Sequence, residues 1–247
     1  MRSDRTILAL DTSTNVQAIA LLDGERLLED RSRRVPFNHS SSLLANVDET
    51  LQAHEHEPED LDAIAVGIGP GSFTGTRISL ALAKALARRL DVPLVGISTL
   101  AAVAYRPACT HPDATVIAAL NAGRHEVYAG TYTACDGNLQ QLEEDRLQGV
   151  DTVVEALEKR RADGASVVVV GSAVEAYDAF DELHRDIVVM EPSLGSPCAL
   201  AVAHLGRDRL IASNGEGDAL HELEPNYIRP SSAEENLKAG KLDVSGL

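Results

Sequence analysis

Hydrophobic and polar positions fall into blocks whose order repeats once along the chain. Thr6 to Leu10 is a short apolar run ending at Asp11, the pattern of a buried strand. A polar turn, Asp11-Thr12-Ser13-Thr14-Asn15, leads to a second apolar run from Val16 to Leu22. Asp23-Gly24 then predicts a hairpin into a third strand, Glu25 to Arg33. Beyond Pro36, a helix is expected from Ser40 or Ser41 to Ala53, with Leu43, Leu44, Val47 and Leu51 on one face. The polar stretch Glu55 to Asp60 reads as a loop, and Ala63 to Ile68 as a strand. A helical stripe follows at Ile78, Leu82, Ala85, Leu86 and Leu90, then a strand Val92 to Ser98 and a short helix Thr99 to Tyr105.

The second half repeats this plan. Ala114 to Leu120, Glu126 to Thr133 and Leu139 to Glu143 read as strands, and Val150 to Arg161 as a helix. Strand Ser166 to Gly171, helix Ala173 to Leu183, strand Ile187 to Met190 and helix Pro197 to Ile211 complete it. The order βββαβαβα, occurring twice, predicts an α/β protein with two lobes, each a mixed sheet covered by helices. The break near residues 106–113 divides an N-terminal lobe, 1–107, from a C-terminal lobe, 108–213. Residues 214–247 form a polar tail with Pro225, Pro230 and a charged run from Glu234 to Lys241. This tail is expected to pack loosely, with its last ten residues disordered.

Composition narrows the picture. Of 247 residues, 44% are hydrophobic but only 3% aromatic, and Trp is absent, so the core must be aliphatic and rich in alanine. A formal charge of −16 opposes unaided binding to a polyphosphate. The basic clusters at Arg31, Arg33 and Arg34, at Arg88 and Arg89, and at Lys159-Arg160-Arg161 lack interleaved aromatics and read as solvated faces. Cys109, Cys135 and Cys198 are odd in number and widely spaced, which suggests neither a zinc knuckle nor a disulfide framework. The first apolar run is too short for a signal peptide and nothing approaches a membrane span, so a cytoplasmic location is expected.

Candidate chemistry concentrates where strand Ala63 to Ile68 meets the next helix. Gly67, Gly69, Gly71 and Gly75 punctuate this turn, and Ser72 or Thr74 can cap the helix. The loop lacks the Lys of a Walker A motif, and Gly75 comes one residue too late for the dinucleotide fingerprint G-x-G-x-x-G. A close-packing turn and an anion-binding turn both fit these residues. The same two readings hold for Asp11, Thr12 and Ser13: self-bonded turn residues, or a phosphate loop. His54-Glu55-His56-Glu57 does not reproduce the H-E-x-x-H spacing of a zinc protease, and no G-x-S-x-G surrounds Ser72.

The run Gly67 to Arg77, G-x-G-P-G-S-F-T-G-x-R, resembles the TsaB (YeaZ) family, bacterial partners in making threonylcarbamoyladenosine on tRNA. The likeness extends through Ile7 to Thr14, His39-Ser40, Leu43-Leu44, Leu61 to Val66, Pro93 to Leu100, Glu126-Val127-Tyr128, Glu224-Pro225 and Tyr227 to Pro230. It implies the actin/sugar-kinase/Hsp70-like (ASKHA) fold and a non-catalytic scaffold for TsaD, with TsaE in a higher assembly and TsaC supplying the threonylcarbamoyl-adenylate. The chemistry implied is N6-threonylcarbamoylation of adenosine 37 in tRNAs reading codons that begin with A.

In the family, the helices after His39 and after Ser72 pack against their equivalents in a second subunit. The implied interface residues are His39, Leu43, Leu44, Val47, Phe73, Thr74, Arg77 and Leu80, and a homodimer through the same helices is also implied. TsaD binds a metal through H-x-x-x-H on a helix. Thr99 and Val103 stand at those positions here, so no metal site is implied. Many family members carry Glu where Ser41 stands, and Asp is common where Asn121 stands. The second departure weakens the case for independent ATP chemistry. The expectation is therefore no intrinsic cofactor, with ATP or ADP at most weakly bound or shared at an interface. Three other readings remain: a stand-alone small-molecule kinase or ATPase of the same fold, a metalloprotease, opposed by the absent ligand pair, and a homodimeric structural module without TsaD.

Overall fold

The computed structural model describes residues 5–34, 39–135, 137–190 and 198–229, with side chains from residue 42 onward in the second of these segments. Two mixed sheets have the same strand order. In the first, β1 (Thr6–Asp11) pairs antiparallel with β2 (Val16–Asp23) and parallel with β5 (Ala63–Gly67). Outside these lie β3 (Arg26–Asp30) and β6 (Leu94–Ile97), giving β3-β2-β1-β5-β6, while the two-residue β4 (Arg33–Arg34) joins the start of β2. The second sheet contains β7 (Thr115–Gly123), β8 (Glu126–Cys135), β9 (Asn138–Gly149), β10 (Val167–Val170) and β11 (Ile187–Val189). Its order, β9-β8-β7-β10-β11, matches the first strand for strand. This duplicated α/β architecture is the actin/sugar-kinase/Hsp70-like fold.

Strand alternation decides which helix covers which face. Leu8, Leu10, Ile19, Leu21, Ile64 and Val66 share one face of the first sheet. They pack against α1 (His39–Ala53) and α2 (Phe73–Leu90), through residues such as Leu43, Val47, Leu80 and Ala83. The other face carries Ile7, Ala9, Ala18, Ala20, Ala63 and Ala65. Its small side chains admit α6 (Ala199–Ala212) so closely that a Cβ at Gly206 would overlap that of Ala65. Here the alanine-rich, aromatic-poor composition finds its use.

The final helix of each half crosses to the sheet of the other. α6 lies on the first sheet, whereas α3 (Thr99–Thr110) packs Leu100, Val103, Ala104 and Ala108 onto Val116, Ala118, Leu120 and Val168 of the second. Tyr105 of α3 stacks on His204 of α6, with ring centroids 5.9 Å apart. α4 (Val150–Ala162) and α5 (Ser172–Ala176) cover the remaining face of the second sheet.

Several elements differ from expectation. α3 continues past Tyr105 to Thr110, with Pro107 inside its last turn. β9 extends to Gly149 despite its charged sequence, because pairing with β8 continues as far as Glu126. The helix expected over Ala173 to Leu183 stops at Ala176. Extended backbone at Tyr177 ends it, and the Tyr177 hydroxyl donates to Asn121 Oδ1 at 2.8 Å. The predicted third strand divides into β3 and β4, which keep one register on β2, and the irregularity in the pairing lies within β3, between Leu27 and Glu29.

The tail corrects the expectation of loose packing, as far as residue 229. Asp218 N donates to Leu94 O at 2.7 Å, and Gly96 N donates to the Asp218 carboxylate at 2.7 Å. Leu220 and Leu223 pack against the first core. The physical cause is the outer edge of β6, whose unpaired backbone groups the tail satisfies. The last ten residues, Pro230, the segment before Cys198 and the side chains of His39, Ser40 and Ser41 lie outside the described residues.

Candidate partner-binding site and the buried turn behind it

The glycine loop and the turn after β1 are packed against each other. Asp11, Thr12 and Ser13 are buried, and their polar atoms are engaged inside the protein. The Asp11 carboxylate accepts from Ser13 N at 2.7 Å, Ser13 Oγ at 2.6 Å and Thr99 Oγ1 at 3.1 Å. Thr12 Oγ1 donates to Gly75 O at 2.6 Å and accepts from Ser79 N at 3.2 Å. Ser72 N donates to Ser13 O at 2.6 Å, and Ser72 Oγ caps α2 by accepting from Gly75 N. A Cβ on Gly67, Gly71 or Gly75 would overlap Asp11, Ser13 or Thr12 respectively, whereas Gly69 serves the turn through its φ of +91°. The loop therefore works here as a close-packing surface for the first turn.

Thr99, visible in the sequence only as a departure from a metal motif, is the hub of this arrangement. Its N–H donates to Gly69 O at 2.8 Å, its hydroxyl accepts from Gly69 N at 3.2 Å, and Ser13 Oγ lies 2.9 Å away. Val103, the other position of that motif, is buried in the second core. Among the described residues, no group of three or more His, Cys, Asp or Glu comes together to hold a metal ion. His54 Nε2 instead lies 3.1 Å from Glu29 Oε2. No helix of the described residues is long and apolar enough to cross a membrane.

The implied interface residues separate into two groups. Leu43, Val47 and Leu80 are buried in the first core, so they support the helices and are out of a partner's reach. Leu44 is 58% exposed, and Phe73, Thr74 and Arg77 are exposed at the start of α2. Phe73 and Arg77 form an ordered cluster with a residue sequence reasoning missed. The Phe73 ring stacks on Tyr227 with centroids 5.1 Å apart, Arg77 lies 3.8 Å above the Phe73 centroid, and Arg77 Nε donates to the Tyr227 hydroxyl at 2.6 Å. Tyr227 had a signal, its place in the Tyr227 to Pro230 match, but nothing local connects it to residues 150 positions earlier.

A second, half-buried carboxylate joins the halves. Asp145 of β9 accepts from Ser98 Oγ at 2.6 Å, Tyr132 OH at 2.5 Å and Gln141 Nε2 at 3.0 Å. Ser98 is the N-cap of α3. Burial pushes the Asp145 pKa above its ordinary 3.8, outweighing those three donors. The stability this group contributes is thus present below pH 3.8 and is lost as pH rises through its higher folded value. Asp145→Asn keeps an acceptor for Tyr132 and Gln141 and removes the titration. Between about pH 4 and pH 7, the unfolding free energy of the variant should gain relative to the parent, read by urea titration. A constant difference would mean that the carboxyl titrates alike folded and unfolded.

The family model described as "TsaD: tRNA N6-adenosine threonylcarbamoyltransferase" matches residues 34–233. The chain is 31% identical over 234 residues to the tRNA threonylcarbamoyladenosine biosynthesis protein TsaB of Bacillus subtilis, covering 93% of this chain and 96% of that protein. It belongs to the TsaB (YeaZ) family. The TsaB of Haemophilus influenzae is 32% identical over 231 residues, covering 91% of this chain and 93% of that protein. Among solved structures, YeaZ from Pseudomonas aeruginosa aligns with a TM-score of 0.75 and 29% identity, over 90% of this chain and 99% of that one. A second Pseudomonas aeruginosa structure, an uncharacterized protein with similarity to peptidase YEAZ, gives 0.76 and 29%, over 91% and 100%. TsaB membership assigns the chain to tRNA threonylcarbamoyladenosine biosynthesis and does not favour the stand-alone kinase reading.

Proposed function

We propose that this chain is a non-catalytic subunit that binds TsaD and enables it to transfer the threonylcarbamoyl group to adenosine 37 of tRNA in the cytoplasm. The observation that carries this reading is the engaged state of the Asp11–Ser13 turn. The groups that would meet a phosphate in an enzyme of this fold bond the chain's own glycine loop and α3. The exposed chemistry instead lies at Leu44, Phe73, Thr74 and Arg77, residue types suited to anchoring a protein partner. TsaE joins the TsaD-bound form, any ATP or ADP is shared at the junction, and a homodimer uses the same helices. With a net charge of −16, the chain leaves contact with tRNA to its partners.

The test is a reconstituted reaction containing TsaC, TsaD, TsaE, ATP, threonine, bicarbonate and tRNA, with and without this protein. Omission should lower the rate of threonylcarbamoyladenosine formation by at least about a hundredfold, the loss of roughly 2.7 kcal/mol of transition-state stabilisation. Full-rate turnover without the chain would overturn the reading.

A further inference from the structure

Beyond the core of the first lobe, the tail reaches three separate structures within four residues. Asn226 N donates to Ile68 O at 2.7 Å, beside the glycine loop. Tyr227 completes the stack with Phe73 and Arg77 at the start of α2. Arg229 then belongs to the other lobe. Its Nη1 donates to Ala122 O at 2.6 Å and its Nη2 pairs with Glu126, the residues at either side of the turn between β7 and β8.

The peptide between these anchors is stiff. Tyr227 N donates to Pro225 O at 2.9 Å and Ile228 N donates to Asn226 O at 3.2 Å, two successive three-residue turns. Pro225 itself has a restricted φ. Upstream, Asp218 is fixed on β6 and by Arg209, whose Nη2 lies 2.8 Å from its carboxylate. Slack cannot readily accumulate in a segment pinned at both ends and folded by its own hydrogen bonds.

The ties at the second lobe are substantial. The Arg229 side chain is only 16% exposed, so its charge-assisted bonds are little screened by solvent. By contrast, Arg34 and Glu175, another pair between the lobes, lie 3.9 Å apart with both side chains well exposed.

We propose that Asp218–Arg229 is a strap that couples the surface at the start of α2 to the β7–β8 turn of the second lobe. Displacing Tyr227 from Phe73 pulls on Arg229, and releasing Arg229 loosens Tyr227. Linkage makes the effect reciprocal, so a partner seated on Phe73 and Arg77 also tightens the β7–β8 turn. That last use rests on the partner reading above, whereas the coupling itself does not.

Native-state hydrogen exchange on the full chain separates the two. Arg229→Ala should speed exchange about tenfold at the amides of Thr76 and Arg77, in the lobe that Arg229 does not touch. Tyr227→Ala should do the same at Gly123 to Val127, in the lobe that Tyr227 does not touch. Changes confined in each variant to its own lobe would overturn the strap. Should Arg229→Ala fail to fold, Arg229→Lys keeps the charge while losing the forked geometry, and is read in the same way. A companion titration with TsaD should show Arg229→Ala binding about tenfold more weakly than the parent. Equal binding overturns the link to the partner face. If the parent binds no TsaD, the partner reading fails, and the exchange data still decide the strap.

Discussion

Gly75→Ala is expected to lower the unfolding free energy by about 3 kcal/mol, the upper range for overpacking a filled interior. Its Cβ would be directed at the carbonyl oxygen of Thr12, backbone against backbone, where no side chain can swing aside. Retreat is opposed twice, because Thr12 Oγ1 donates to Gly75 O and accepts from Ser79 N. Moving the helix start therefore breaks the bonds that hold the turn, and the strain spreads to Asp11 and Thr99. For a chain of this size the midpoint of thermal unfolding should fall by about 6–12 °C. Gly149→Ala is the matched control. Gly149 has φ of −67°, and the nearest atom to an added Cβ is 3.7 Å away. That variant should stay within about 1 kcal/mol of the parent. Equal stability of Gly75→Ala and Gly149→Ala would mean that α2 slides freely on the first turn.

The alternation of apolar residues made the duplicated fold legible. A strand such as Thr6 to Leu10 is fully buried and short, and the helices between strands carry clear stripes. Periodicity within one segment contains no term for a partner from the other half of the chain. It located α3 and α6 but could not reveal that each covers the opposite sheet. The same limit explains β9, whose polar sequence conceals a ladder that β8 imposes, and α5, which ends where Tyr177 reaches Asn121.

The site was legible in position more than in arrangement. The glycine spacing identified the loop, yet both the close-packing and the anion-binding readings fitted its residue types. Only distances could show that the Thr12 hydroxyl is directed into Gly75 and Ser79. Leu43, Leu44 and Val47 formed one stripe in the sequence, but burial divides it, with Leu44 outside and the other two in the core. Tyr227 and Arg229 are distant in sequence from what they touch, and no local pattern records such contacts.

Phe73→Asp should weaken association with TsaD by at least about a hundredfold while leaving the chain folded, a loss on the scale of an interface hot spot. Phe73 is 38% exposed, and its ring is held by contacts with Tyr227 and Arg77, which also bond each other, before any partner arrives. An aromatic already ordered loses little side-chain entropy on binding, so more of its buried area contributes to affinity. Aspartate at this position removes the apolar surface and places a carboxylate where a partner would have to desolvate it. The fold should tolerate the change, because Phe73 is the first residue of α2 and a negative charge there suits the helix dipole. Arg77, one turn on, is positioned to pair with the new carboxylate. Truncating the neighbouring stripe at Leu43 would report differently: that side chain is buried, so Leu43→Ala should cost about 2–5 kcal/mol of stability. Calorimetric titration of TsaD with the parent and with Phe73→Asp, alongside circular dichroism of both, separates loss of contact from loss of fold. Undiminished affinity in a folded Phe73→Asp protein would move the partner surface away from the start of α2.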